Sequence, residues 1–181
     1  MQMTLREYHK LAMRTSPRDG HDKIDNGVLG LIGEAGEIVD VYKKWIYQST
    51  PGTPVPVERL KDEAGDVLWY LAEVADGMNK NLADVICADF DRLDESVAKA
   101  KTMPSIRWII LTTAENALQV EKATTEDKMR VYMHLIIEHL AQLARWLDMS
   151  MAQIAQHNID KLKKRYPVKF DPAISEARYE T

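Results

Sequence analysis

Glu63-Ala64-Gly65-Asp66-Val67-Leu68-Trp69-Tyr70-Leu71 has a near relative earlier in the same chain, Glu34-Ala35-Gly36-Glu37-Ile38-Val39-Asp40-Val41. In both stretches the tetrapeptide Glu-Ala-Gly-acid opens an apolar run with helical spacing. On an α-helix, residues i and i+3 share a face, so each copy aims two carboxylates in one direction. Two such helices side by side would gather Glu34, Glu37, Glu63 and Asp66 next to an apolar core. Converging anions repel unless a cation lies between them, which makes the doubled motif a candidate metal site.

Outward from these two stretches the helical pattern continues. Thr4 is expected to cap a first helix reaching residue 15, and Ser16-Pro17-Arg18-Asp19-Gly20 breaks it. A second helix is expected over about 23–47, followed by the proline-rich loop Ser49-Thr50-Pro51-Gly52-Thr53-Pro54-Val55-Pro56, which cannot be helical. The remaining expectations are helices over 57–77, about 81–101, 105–122, 125–147 and 150–165, with Asn81 and Ser150 as caps and an extended tail beyond Pro167. No alternating strand pattern of useful length occurs. The fold class expected is all-α, a helical bundle forming a single domain.

Bulk composition agrees with that reading. A chain of 181 residues with 45% hydrophobic and 29% charged residues has the balance of an ordinary globular domain. A net charge of −4 argues against a general nucleic-acid binder, which carries a basic surface. The single cysteine, Cys87, excludes an intrachain disulfide framework and a cysteine zinc cluster. Met1-Gln2-Met3-Thr4-Leu5-Arg6-Glu7 lacks the apolar character of a signal peptide, and no run is long enough to span a bilayer. The expectations are a cytoplasmic location and no membrane partner.

A weak internal repeat is also legible. Residues 82–93 align without gaps with 151–162, matching Leu82 to Met151, Val85 to Ile154, Phe90 to Ile159 and Leu93 to Leu162. Leu71 and Leu140, and Ala75 and Ala144, extend the match. One reading is a tandem, pseudo-dimeric arrangement of two degenerate helical units, about 4–101 and 105–167, with a tail over 168–181. The other is that two amphipathic helices with similar caps align to some degree in any case.

Acid pairs at this spacing are common, and Asp40 with Lys44 is an ordinary i, i+4 ion pair. The glycines set the two motifs apart. Gly30, Gly33, Gly36 and Gly65 each cost a helix roughly 1 kcal/mol relative to alanine, and close approach of a neighbouring helix or a ligand is the usual reason to carry them. Carboxylate oxygens alone suit Mg²⁺ or Mn²⁺ rather than zinc or copper. A di-iron bundle would want Glu-x-x-His, which is absent. Mg²⁺ held by carboxylates completes its shell with water and phosphate oxygens, so a phosphate ester or anhydride is the expected substrate class.

Three blocks then carry a resemblance. They are Tyr8…Ala12-Met13-Arg14-Thr15; Asn26 through Glu37 with Lys43-Lys44; and Asp62 through Leu71. With the later Asn158-Ile159-Asp160-Lys161-Leu162-Lys163-Lys164-Arg165-Tyr166-Pro167, and Phe170, Ser175 and Arg178 behind it, the chain resembles the MazG-like all-α nucleoside triphosphate pyrophosphohydrolases. The resemblance implies cleavage of an NTP or dNTP between the α- and β-phosphates, giving a monophosphate and pyrophosphate. It implies Mg²⁺ ligation by Glu34, Glu37, Glu63 and Asp66, with Glu34 or Glu37 orienting the attacking water or taking its proton. Lys161 and Arg165, and Lys43 or Lys44, would meet phosphate oxygens, although a solvated helix end explains such residues equally well. Asn158 would bind a phosphate or the sugar. Trp69 and Tyr70 would line a base pocket or, more simply, fill the core; His21, Asp25 and Asn26 are further pocket candidates.

One departure sharpens the repeat reading. Where compact members of that family carry N-x-x-K-L-x-x-R-Y-P soon after the third helix, this chain has Asp89-Phe90-Asp91-Arg92-Leu93, with Ser96 at the arginine position. The better version comes only at Asn158. If the halves form a pseudo-dimer, the first supplies the metal ligands and the second the phosphate-binding end. The alternative function is a catalytically silent helical module that binds a nucleotide or a protein. A homodimer formed through leftover apolar faces stays open.

Overall fold

In a computed structural model, residues 2–17, 21–168 and 170–171 are described, with the side chain of His21 excepted. Helices run over Leu5–Met13 (α1), His21–Gln48 (α2), Val57–Gly77 (α3), Leu82–Ile86 (α4), Phe90–Lys99 (α5), Ile106–Glu121 (α6), Glu126–Trp146 (α7) and Met151–Arg165 (α8). No strand occurs among the described residues, so the fold is the all-α bundle expected. No described helix is long and apolar enough to cross a membrane.

Local chemistry sets most boundaries. Thr4 and Glu7 form a reciprocal capping box at the start of α1, as Ser150 and Gln153 do for α8. Pro56 ends the loop before α3, and its missing N–H costs nothing at a helix start. Leu31, Ile38, Leu60, Leu68, Leu71, Ile109 and Met133 are fully buried and form the centre of the core.

The repeat has a structural counterpart in two helix–turn–helix connections. After α3, Asn79 takes a left-handed φ of 58°, and after α7 Asp148 takes 59°. Lys80 N donates to Ala75 O at 3.0 Å in the first turn, and Met149 N donates to Ala144 O at 2.9 Å in the second. Asn81 and Ser150 then cap α4 and α8 with their side chains. The packing has the same symmetry. Exchanging α2 with α6, α3 with α7 and α4 with α8 maps α2·α3 onto α6·α7 and α3·α8 onto α7·α4, and leaves α2·α6 and α3·α7 in place.

The match stops at Cys87. The single helix expected from Asn81 to about 101 is two helices, because Cys87 adopts a left-handed φ of 54° and ends α4 after five residues. Asp89 starts α5 afresh, accepting from Phe90 N at 2.7 Å and from Leu5 N at 2.6 Å. The carbonyls exposed by the break are taken up by α7. Arg130 Nε donates to Val85 O at 3.1 Å, and His134 Nδ1 lies 3.0 Å from Ile86 O. In the second unit α8 runs unbroken, which carries its C-terminal half back across α3. The expected tail is described only at residues 167, 168, 170 and 171; Ser175 and Arg178 lie outside the described residues.

Candidate metal centre

The antiparallel pair of α2 and α3 sets the acids face to face. Buried Ala35 and Ala64 keep the backbones close behind them. Tyr70 lies across Gly30, where a Cβ would come within 2.0 Å of its ring. Gly65 makes room for α8, since a Cβ there would sit 2.9 Å from Asn158 Cβ. For these two glycines close approach is the reason expected. Gly33 and Gly36 depart from it: a Cβ on either meets nothing within 4 Å, so their presence in α2 is not explained by packing within the chain.

Glu34, Glu63 and Asp66 converge, each offering an oxygen within 4.8 Å of the others. Burial, and then the charges of Asp66 and Glu63, push the Glu34 carboxyl up to about 7. Glu63 is raised as well, by burial first and by Asp66 second. Glu37 is exposed at the edge of this trio, near enough for its charge to add to the shift of both. The structure therefore gathers three of the four expected ligands tightly and leaves the fourth on the rim.

The opposite wall comes from α8. Lys161 Nζ lies 2.5 Å from Asp66 Oδ2, and Asn158 Nδ2 donates to Asp66 Oδ1 at 2.9 Å. Asn158 is fully buried, and its carbonyl accepts from the hydroxyl of Tyr8 at 2.9 Å. Its amide is thus spent within the protein, which makes it a group that orients Asp66 rather than one that faces solvent. Tyr8, fully buried on α1, is quoted with the first resembling block but has no site role in the sequence reading, because an aromatic at that position reads as core. The three carboxylates face a single ammonium, and all donors are hard oxygens. That donor set fits a divalent cation of the Mg²⁺ or Mn²⁺ class.

Other expected residues lie elsewhere. Lys43 and Lys44 both pair with Asp40 on their own helix, on the stretch of α2 beyond the trio. The Trp69 indole donates to Ala12 O at 3.2 Å and Thr15 Oγ1 at 3.1 Å, fastening α1 to α3, and its ring meets Tyr70 edge-on at 4.8 Å. Asn26 donates to Glu73, a fully buried carboxylate that also accepts from Ser16 Oγ at 2.8 Å. Asp25 is exposed, and the side chain of His21 lies outside the described ones. Arg165 lines an open pocket of ≈ 480 Å³ together with Asp62, His157, Asp160, Lys161 and Lys164.

The second unit builds no equivalent centre. The repeat places Tyr132 and Leu135 where the first unit has Glu63 and Asp66, and it places Asp89 where the second has Asn158. Among the described residues the Glu34, Glu63 and Asp66 trio is the one acidic group of metal-holding geometry. Carboxylates from α2 and α3 and the ammonium of Lys161 from α8 thus share a single site.

Comparison with known proteins adds one relative. The chain is 37% identical over 67 residues to the "Gene 37 protein" of Mycobacterium phage L5; the match covers 36% of this chain and 58% of that protein. No family model and no solved structure matches the chain.

Proposed function

We propose that this chain is a Mg²⁺-dependent nucleoside triphosphate pyrophosphohydrolase. The observation that carries the reading is the convergence of Glu34, Glu63 and Asp66 opposite Lys161, an acidic trio with an ammonium group against it at the α3–α8 contact. Glu34, Glu63 and Asp66 would hold the metal, which when bound supplies charge neutralisation of the triphosphate and a water of lowered pKa. Glu37 stands outside the trio and would orient an attacking water and accept its proton. The water oxygen forms the new bond to the α-phosphorus, and the bond to the α,β-bridging oxygen breaks, its electron pair leaving with pyrophosphate. Lys161, released from Asp66, and Arg165, one turn on, meet the negative charge that builds up on that leaving group. Asn158, pinned by Tyr8, keeps Asp66 in one orientation.

Pyrophosphate release assayed over common and modified (d)NTPs tests the proposal. Mg²⁺-dependent release is expected with at least one nucleotide, together with its loss in Glu37→Gln and Asp66→Asn. Absence of release with every nucleotide would leave the silent binding module as the reading, and release unchanged in both variants would show that these carboxylates do not carry it. Mn²⁺ is expected to substitute for Mg²⁺, since both accept carboxylate oxygens.

A further inference from the structure

The α3–α8 contact has a second rung beside the metal centre. One turn before Asp66 on α3, Asp62 Oδ1 accepts from His157 Nε2 at 2.5 Å, and His157 lies one turn before Lys161 on α8. Both side chains line the ≈ 480 Å³ pocket. Its charges are unevenly matched. Asp160 accepts from Gln156 at 2.9 Å and lies 4.0 Å from Lys163 Nζ, Asp62 accepts from His157, and Lys161 is engaged with Asp66. Among the described residues, Lys164 and half-buried Arg165 have no acid within ion-pair distance. With Asp62 held by His157 and Asp160 beside Lys163, Lys164 and Arg165 are the pocket's two cations without an acid partner among the described residues.

We infer that His157 is a positioning residue for phosphate binding: by donating to Asp62 it fixes that carboxylate at the α3–α8 contact and keeps the pocket fit for a pyrophosphate or a β,γ-diphosphate group. Without His157, Asp62 would turn a bare carboxylate toward the incoming anion, one turn from the ligand trio. This inference rests on the pyrophosphohydrolase reading and names the place where the leaving end of the substrate sits. It separates positioning from chemistry, because the hydrogen bond of His157 goes to Asp62 and not to Glu34, Glu37 or Glu63.

The test uses the full chain with inorganic pyrophosphate and Mg²⁺ as the probe, followed by calorimetry, and turnover kinetics with the preferred nucleotide. His157→Ala is expected to weaken pyrophosphate binding about tenfold and raise KM about tenfold, with kcat within about twofold of wild type. His157→Gln, which keeps a donor, is expected to fall between the two. The decisive arm is His157→Ala combined with Asp62→Asn. If the carboxylate is what His157 holds off, neutralising it restores most of the lost affinity, whereas a merely structural role predicts no restoration. Unchanged binding in His157→Ala, no recovery in the double variant, or no binding of pyrophosphate to the wild-type protein would each overturn the inference. Pyrophosphate binding without any nucleotide turnover would instead count against the proposed activity and leave the pocket standing.

Discussion

The two glycines of the doubled motif are expected to respond in opposite ways to the same substitution. Gly36 is exposed, and an added Cβ meets nothing within 4 Å, so Gly36→Ala gains helix propensity alone, about 1 kcal/mol. Gly65 is buried, and its Cβ would sit 2.9 Å from Asn158 Cβ and 3.1 Å from Asn158 Nδ2. Those contacts fall well inside the ~3.5–4.0 Å at which non-bonded carbons rest. Asn158 Cβ moves only with the α8 backbone, so the clash has to push two helices apart. Overpacking of this kind costs about 1–3 kcal/mol. The displacement also stretches the Asn158–Asp66 hydrogen bond, and a bond to a charged group contributes about 1.5–3 kcal/mol. Set against the same propensity gain of about 1 kcal/mol, Gly65→Ala is expected to destabilise by about 2 kcal/mol net. Urea unfolding followed by circular dichroism measures both. The midpoints should straddle wild type, Gly36→Ala above and Gly65→Ala below. A Gly65→Ala protein as stable as wild type would refute the packing argument, and so would a clearly destabilised Gly36→Ala.

Other expectations concern charge and the buried polar chain. Glu34 is raised from 4.5 to about 7 in the folded state, so the native protein holds a proton that the unfolded chain releases. Stability in a chelator should therefore fall as pH rises from about 4.5 to about 7, and added Mg²⁺ should recover it at about pH 8 far more than at about pH 5; melting temperatures with and without the ion check this, and a flat profile contradicts it. Asn158→Ala leaves the buried Tyr8 hydroxyl and one part-buried Asp66 oxygen without that partner, whereas Tyr8→Phe strands only the Asn158 carbonyl, so at about 1–3 kcal/mol for each stranded group the first should cost more than the second. Equal losses in the two variants, measured by denaturant titration, would show that the Tyr8–Asn158–Asp66 chain is not the unit described. Cys87→Gly should stabilise slightly, by roughly 0.5–1 kcal/mol, because φ of 54° costs a side chain more than glycine; a loss of stability would show that contacts of the Cys87 side chain outweigh that strain.

The helices were largely legible because their signals are local. Capping residues, proline and the 3.6-residue period lie within one turn of the boundary they set, and the α3 limits at Val57 and Gly77 follow from the sequence for that reason. The break at Cys87 was not legible, because the groups that make it affordable, Arg130 and His134, come from α7 more than forty residues away. The acidic trio was visible as spacing. What spacing could not separate was Gly65 from Gly36, since one faces α8 and the other faces outward. The same limit applied to Asn158, whose sequence context suggests a ligand contact while its burial between Tyr8 and Asp66 makes it an orienting group. Asp62 entered only as the first residue of a resembling block and His157 in none, and only the crossing of α3 and α8 brings them together.

The central claim is that the site of Glu34, Glu37, Glu63 and Asp66 directs water onto the α-phosphorus of a nucleoside triphosphate. Turnover in ¹⁸O-enriched water with Mg²⁺, followed by mass spectrometry of the products, tests it most directly. The account predicts the label in the nucleoside monophosphate, with unlabelled pyrophosphate, and loss of both products in Asp66→Asn. Label in pyrophosphate, release of inorganic phosphate instead, or no product from any nucleotide would contradict it.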